Sequence, residues 1–184
     1  MARNGEFNGG AARRISIVGS TGSGKTYLAR LIADRSNLPL HELDVLRFDS
    51  GGRPLSPDAF ADRVNAVIAT ESWIVGGHYR AVRHNIWRRS DTIVWLNYPF
   101  PLIVLRLLQR FTRKARAARP ASNAGGKPST VNASWSERLG RLQRTLLERR
   151  EYGRLLRSPD YEKVRLVELR SSRATREWLR RQSF

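Results

Sequence analysis

The sequence predicts an α/β domain, a five-stranded parallel sheet with helices on both faces. Two observations predict it. Short apolar runs rich in β-branched residues, such as Ile15-Ser-Ile-Val18, Trp73-Ile-Val75 and Thr92-Ile-Val-Trp-Leu96, alternate with stretches whose apolar residues recur at helical spacing. Strands that alternate with helices bury their side chains as a parallel sheet covered on two sides. In addition, polar residues such as Asp44, Gly76-Gly77 and Asn97 fall just beyond the predicted strands, where open parallel sheets hold ligands.

Residues 1–13 are rich in Gly and Asn and lack the apolar core of a signal peptide, so they read as a disordered leader to a domain spanning 14–184. The first strand covers Arg14 to Val18. It runs into Gly19-Ser20-Thr21-Gly22-Ser23-Gly24-Lys25-Thr26, which fits the spacing G-x-x-x-x-G-K-[ST] of a phosphate-binding loop. The glycines let the backbone N–H groups turn toward a phosphate, and the positive end of the following helix adds to that anion site. Lys25 is placed to neutralise the β- and γ-phosphates of a nucleoside triphosphate, and the Thr26 hydroxyl to ligate Mg²⁺. ATP with Mg²⁺ is therefore the expected ligand.

The first helix runs from Lys25 to Arg35, with Leu28, Leu31 and Ile32 on its core face, and Asn37 and Pro39 end it. Leu40 to Leu43 reads as a second strand delivering Asp44 at its tip. A Gly/Pro loop, Asp49 to Pro54, leads to a helix capped by Ser56-Pro57-Asp58 and stapled inward by Phe60, Val64, Val67 and Ile68. The third strand, Trp73 to Val75, is followed by Gly76-Gly77-His78-Tyr79 and a helix over Arg80 to Arg89; the fourth is Thr92 to Leu96. Pro99 to about Ala118 reads as a long helix with Leu102, Leu105 and Leu108 inward and Arg106, Arg110 and Arg113 on another stripe. Residues 120–131 form a low-complexity loop, and Ser134 to about Leu156 a second long helix with Trp135, Leu139, Leu142 and Leu146 on one side. Lys163 to Leu169 is the fifth strand, and Ser172 to Arg181 a final helix packing through Trp178 and Leu179.

At 184 residues one domain with a proper core is expected, and no apolar run is long enough for a membrane span. The absence of cysteine excludes disulfides and thiolate metal sites and fits a cytoplasmic location. The net charge of +18 is carried by 34 basic residues, of which Lys25, Lys114, Lys127 and Lys163 are the lysines. It fits a nucleic-acid surface, phosphorylated small substrates, or an arginine-biased composition with most charges solvated. Oligomeric state is not encoded in any motif.

These motifs together resemble the small P-loop kinases of the P-loop NTPase class, and within them the topology modulation proteins, often described as adenylate-kinase-like. The resemblance rests on the phosphate loop, His41-Glu-Leu-Asp44-Val-Leu, Ser72-Trp-Ile-Val-Gly-Gly-His-Tyr79, Ser90-Asp-Thr-Ile-Val-Trp-Leu-Asn-Tyr-Pro99, and Arg106 with Arg110. It implies a three-layer fold with strand order 2-3-1-4-5 and a helical lid between strands four and five, here 106–135. The chain departs from the group's pattern at Glu42, where histidine is common, at Gly76 and His78 within the group's Asp-Gly-Asn-Tyr, and at Asn97 in place of an aspartate. Without an acid at Gly76, Asp44 is the carboxylate left near the phosphates.

The chemistry expected of such a site is positioning and charge neutralisation. Lys25, Thr26 with Mg²⁺, and the lid residues Arg106 and Arg110 face the triphosphate. Asp44 orients, or takes the proton of, an acceptor hydroxyl. Gly76, Gly77, Arg80 and Arg83 line the acceptor side, where an arginine grips an acceptor phosphate in fork geometry. Two function classes follow: a kinase of a nucleotide or small metabolite, and a nucleotide-dependent regulatory or DNA-binding protein with little kinase activity. His41, His78 and His84 have no metal-ligand spacing and read as local hydrogen-bonding groups.

Overall fold

Ile15 and Ile17 on one side of the first strand, and Ser16 and Val18 on the other, are all buried, so this strand needs cover on both faces. The computed structural model describes residues 12–77, 79–106, 109 and 147–182. In it β1 (Arg14–Gly19), β2 (Leu40–Glu42), β3 (Trp73–Gly76), β4 (Thr92–Leu96) and β5 (Arg165–Leu169) form one sheet in the order β2-β3-β1-β4-β5. Every pairing is parallel, and β1 lies at the centre with Ser16 beside Val75 and Ile93. The chain thus has the strand order and layering that the sequence implied.

The helices are α1 (Lys25–Ser36), α2 (Leu43–Leu46), α3 (Pro57–Ala69), α4 (Arg80–Arg89), α5 over 100–106, α6 over 147–155 and α7 (Ser172–Arg181). On one face of the sheet Val18, Val75, Ile93 and Trp95 pack with Phe60 and Val64 of α3, Ile86 and Trp87 of α4, and Tyr152 of α6. On the other, Ile15, Ile17, Ile74 and Val94 pack with Leu28 and Ile32 of α1, Ile103 of α5 and Leu179 of α7. The period-two alternation of the strands thus sorts their side chains into two cores. Trp73, Trp87 and Trp95 are core residues, as the weight of aromatic burial favours.

Local signals explain the boundaries. Ser56 caps α3 by accepting from the Ala59 N–H, and Ser171 caps α7 by accepting from the Ala174 N–H. Asn37 ends α1 in a left-handed conformation, its N–H donating to the Ala33 carbonyl. At the foot of β1, Asp91 accepts from the Arg14 guanidinium at 2.6 Å and from the backbone N–H groups of Arg13 and Arg14. Burial works to raise the Asp91 pKa; these donors outweigh it and hold the carboxyl below its ordinary value.

Four details differ from the sequence reading. β2 is three residues long and stops at Glu42, so Asp44 sits in the one-turn helix α2 rather than at a strand tip. The reason is packing: the helical turn carries Leu43 into the core and leaves Asp44 facing out. Gly76 belongs to β3 instead of the turn. In α5, Ile103 is buried while Leu105 is 51% exposed, because the face shared by Ile103 and Arg106 turns toward the sheet and the phosphate loop. β5 begins at Arg165 because a tight turn over Pro159–Tyr161 buries Tyr161 first. Expectations for residues 1–11, His78, Leu108, Arg110, Arg113, the loop 120–131, Trp135, Leu139, Leu142 and Leu146 lie outside the described residues, as does nearly all of the expected lid.

Candidate active site

The turn between β1 and α1 is closed by a hydrogen bond from the Ser23 N–H to the Ser20 carbonyl. Gly24, at φ 96°, occupies the N-cap position of α1, in a left-handed conformation that disfavours side chains. Glycine has no side chain to cap with, and none caps α1. The first N–H groups of that helix are therefore left for a ligand, in contrast to α3 and α7 with their serine caps. Ser20 and Ser23 are buried, whereas Thr21 and Thr26 are exposed.

Lys25 folds back over the loop. Its Nζ donates to the Gly19 carbonyl at 2.7 Å and to the Ser20 carbonyl at 3.0 Å. Burial lowers its pKa to about 8, and the fields of Glu148 and Asp44 recover only part of the loss. Two features thus fit a polyphosphate: a cation depressed by burial, and the Ser23 hydroxyl, buried without a hydrogen-bond partner. Arg106 closes the far rim. Its guanidinium donates to the Ser23 carbonyl at 2.9 Å and to the Ser172 hydroxyl at 2.8 Å, and lies 4.6 Å from the centre of the Tyr98 ring.

The opposite wall is built on α2, the end of β3 and α4. Tyr79 donates its hydroxyl to Asp44 Oδ1 at 3.1 Å. Burial, and then the bond to Asp44, raise the Tyr79 pKa, so the phenol stays the donor. Gly77, at φ 143°, lies so close to Leu43 that an added Cβ would stand 2.7 Å from the Leu43 Cβ. That contact sets how near α2, and with it Asp44, approaches the sheet. Gly76 meets only the Ala29 side chain, at 3.5 Å from an added Cβ, and is a strand-packing glycine. Arg80 and Arg83 do converge here, but on an acid: Glu151 takes Arg80 Nη2 at 2.6 Å and Arg83 Nη1 at 2.8 Å.

The sequence reading missed the contribution of α6. Besides Glu151, it supplies Glu148, whose field reaches Lys25, and Arg149, which donates to Asn97. Asn97 in turn donates to Glu168 at 2.5 Å, and Glu168 is further held by Arg157 and Arg170. The usable signal was Glu148-x-x-Glu151, two acids on one helical face in a chain that has only 16 acidic residues against 34 basic ones. Tyr79 and Ser172 were likewise in view but assigned no part in the site.

Among the described residues no group of three His, Asp or Glu side chains could hold a metal ion. Magnesium does not require one, since it keeps its waters and relies on phosphate oxygens and one or two protein donors. The exposed Thr26 hydroxyl and Asp44 carboxylate are donors of the right kind. Residue Arg110 lies outside the described set, so its relation to this rim is not part of the geometry.

Comparison with known proteins places the architecture. The chain resembles a gluconokinase from Sinorhizobium meliloti 1021, at 19% identity over 98% of this chain and 90% of that one, with a TM-score of 0.52. A shikimate kinase from Bacteroides thetaiotaomicron matches at 18% identity over 93% and 96% of the two chains, with a TM-score of 0.52. A shikimate kinase from Acinetobacter baumannii, solved in complex with shikimate, matches at 19% identity over 92% and 90%, with a TM-score of 0.51. Similarity at this level shows the fold, that of the P-loop kinases. No protein-family model and no curated protein matches the sequence. Among the described residues, no helix is long and apolar enough to cross a membrane.

Proposed function

We propose that the chain is an ATP-dependent phosphotransferase that moves a γ-phosphoryl group to a hydroxyl of a nucleotide or small metabolite. One observation carries this reading: an uncapped helix end with a desolvated lysine faces, across the C-terminal edge of the sheet, an exposed carboxylate held by a neutral phenol. The first half is an anion site, and the second suits a proton acceptor. Catalysis here is mainly positioning plus electrostatics.

In this reading Gly19 to Thr26 cradle the triphosphate, with Lys25 as its principal counter-charge. Arg106 steadies the loop from the rim, and Arg110 is proposed from the sequence as a second arginine for the triphosphate. Asp44 orients the acceptor hydroxyl and takes its proton as the acceptor oxygen bonds to phosphorus and the bond to the ADP oxygen breaks. Gly77 and Tyr79 hold Asp44 in place, and Arg80 and Arg83 complete the acceptor side; Gly76 serves it only by packing the end of β3 against Ala29. Magnesium, bound with the nucleotide, would supply further neutralisation of the triphosphate, and the Thr26 hydroxyl would hold it from the chain. The motifs shared with the small P-loop kinases support the same assignment.

The test is a coupled measurement of ADP release over a panel of nucleosides, nucleoside monophosphates and hydroxylated metabolites. One or more should raise turnover above buffer and yield a phosphorylated product in proportion. If nucleotide binds but no acceptor does so, the catalytic reading fails. The basic surface would then favour a nucleotide-dependent DNA-binding role, with affinity that falls steeply with salt.

A further inference from the structure

An acceptor cleft with two arginines would ordinarily be matched to an anion. Here both are already engaged. Arg83 is mostly buried, with its guanidinium 5.7 Å from the Trp87 ring centre, and Arg80 approaches from one turn earlier on α4. Each puts a terminal nitrogen on a different oxygen of Glu151, so one carboxylate fills the fork that an acceptor phosphate or carboxylate would need. Burial works to raise the Glu151 pKa, but the two arginines outweigh it and keep this carboxyl ionised. The remaining acid of the cleft is Asp44. Arg47, the next cation along, is directed elsewhere: it donates to the Leu55 carbonyl and lies over the Phe60 ring. Arg83 thus lines, with Gly77 and Tyr79, a narrow crevice between Leu43 and α4, and its charge is already answered by Glu151.

Resting on the kinase reading, we propose that Glu151 sets acceptor specificity: its occupation of the Arg80–Arg83 fork selects a neutral polyhydroxylated acceptor, such as a sugar, polyol or nucleoside, over a phosphorylated or carboxylated one. An anionic acceptor would have to displace Glu151 from a charge-assisted hydrogen bond to Arg80 and an ion pair with Arg83, leaving a half-buried acid without its counter-charges. A neutral acceptor meets neither cost.

Matched pairs test this: glucose against gluconate, and adenosine against its monophosphate, with ADP release followed for the wild type and Glu151→Gln. The wild type should favour the neutral member of each pair. The variant should raise the anionic-to-neutral ratio of kcat/KM by about tenfold or more, the worth of one charge-assisted hydrogen bond. A wild type that prefers the anionic member, or a ratio unchanged in the variant, overturns the proposal. A binding measurement needs no turnover. With the loop filled by the magnesium complex of a non-hydrolysable ATP analogue, inorganic phosphate should bind Glu151→Gln at least about tenfold more tightly than the wild type; equal affinity overturns the proposal. A flat analogue trace would remove the kinase reading by itself, while the phosphate comparison would still decide the fork. Should Glu151→Gln fail to fold, the wild-type preference decides alone.

Discussion

Replacing Lys25 by methionine should make the nucleotide-free protein more stable while abolishing its response to ATP. The lysine is held as a cation in a desolvated place, and the drop in its pKa from 10.5 to about 8 corresponds to about 3 kcal/mol of penalty on the charged form. Methionine keeps the apolar stem and removes that penalty. Against this stand two hydrogen bonds to the Gly19 and Ser20 carbonyls, each worth about 1 kcal/mol and partly replaceable by water. The net expectation is a gain of about 1 to 2 kcal/mol, or a few degrees in Tm at about 2–4 °C per kcal/mol for a chain of this size.

Thermal melts of the two proteins, with and without magnesium ATP, check it. Without nucleotide the variant should melt higher; with nucleotide only the wild type should gain. The pH dependence has a definite sign. Between about pH 8 and pH 10.5 the folded Lys25 has lost its proton while the unfolded one keeps it. The wild type therefore gains stability relative to the variant across that window, and below it the full penalty persists. A variant that melts lower in plain buffer, and still binds magnesium ATP as the wild type does, would refute the account of Lys25 as a strained counter-charge waiting for its anion.

Three other predictions follow from the same geometry. Asp44→Asn should leave the ATP affinity from calorimetry nearly unchanged and lower kcat by roughly 10²–10⁴-fold, the usual range for a general base; a loss of Tm with kcat intact would make Asp44 structural. Gly77→Ala brings a Cβ to 2.7 Å from that of Leu43 at a backbone angle unsuited to side chains. It should cost about 1–3 kcal/mol in denaturant unfolding and, by pushing α2 away, lower kcat more than it weakens ATP binding. Asp91→Asn breaks the Arg14 pair at the foot of β1, half-open to solvent, and should cost about 1 kcal/mol at pH 7. Because the folded Asp91 has a lowered pKa, that difference should hold down to about pH 4 and vanish in denaturation curves taken as the pH falls through its folded value.

The sheet was legible because strands and helices are written in side-chain periodicity, which a single sequence displays. Ile15 and Ile17 against Ser16 and Val18 announce a strand with two buried faces, and the two cores then follow. The loop was legible because its glycines, Lys25 and Thr26 are adjacent in the chain. The acceptor side was not, because its parts are far apart in sequence: Asp44 with Tyr79, and Arg80 and Arg83 with Glu151 across about seventy residues. Nothing local in Arg80 or Arg83 says that an acid will meet them. The misplacement of Asp44 has a nearer cause. His41-Glu-Leu-Asp44 carries no helix signal, and it is burial of Leu43 beneath Gly77 that turns the chain.

In a chain this basic, arginines are too common to mark a site, and the acids carry the information. Asp91 is tied to Arg14, Glu42 to Arg30, Asp49 to Arg53, Glu151 to Arg80 and Arg83, Glu168 to Arg157 and Arg170, and Glu177 to Arg173. Asp44 stands apart. Among the described residues its hydrogen-bond partner is the Tyr79 phenol, and no arginine lies within ion-pair distance of it. Its field reaches Lys25 of the phosphate loop, and its hydrogen-bond donor is a neutral phenol rather than a guanidinium, so its second oxygen is free to meet an acceptor hydroxyl. That position, rather than the number of basic residues nearby, is the reason to look for the acceptor hydroxyl at Asp44.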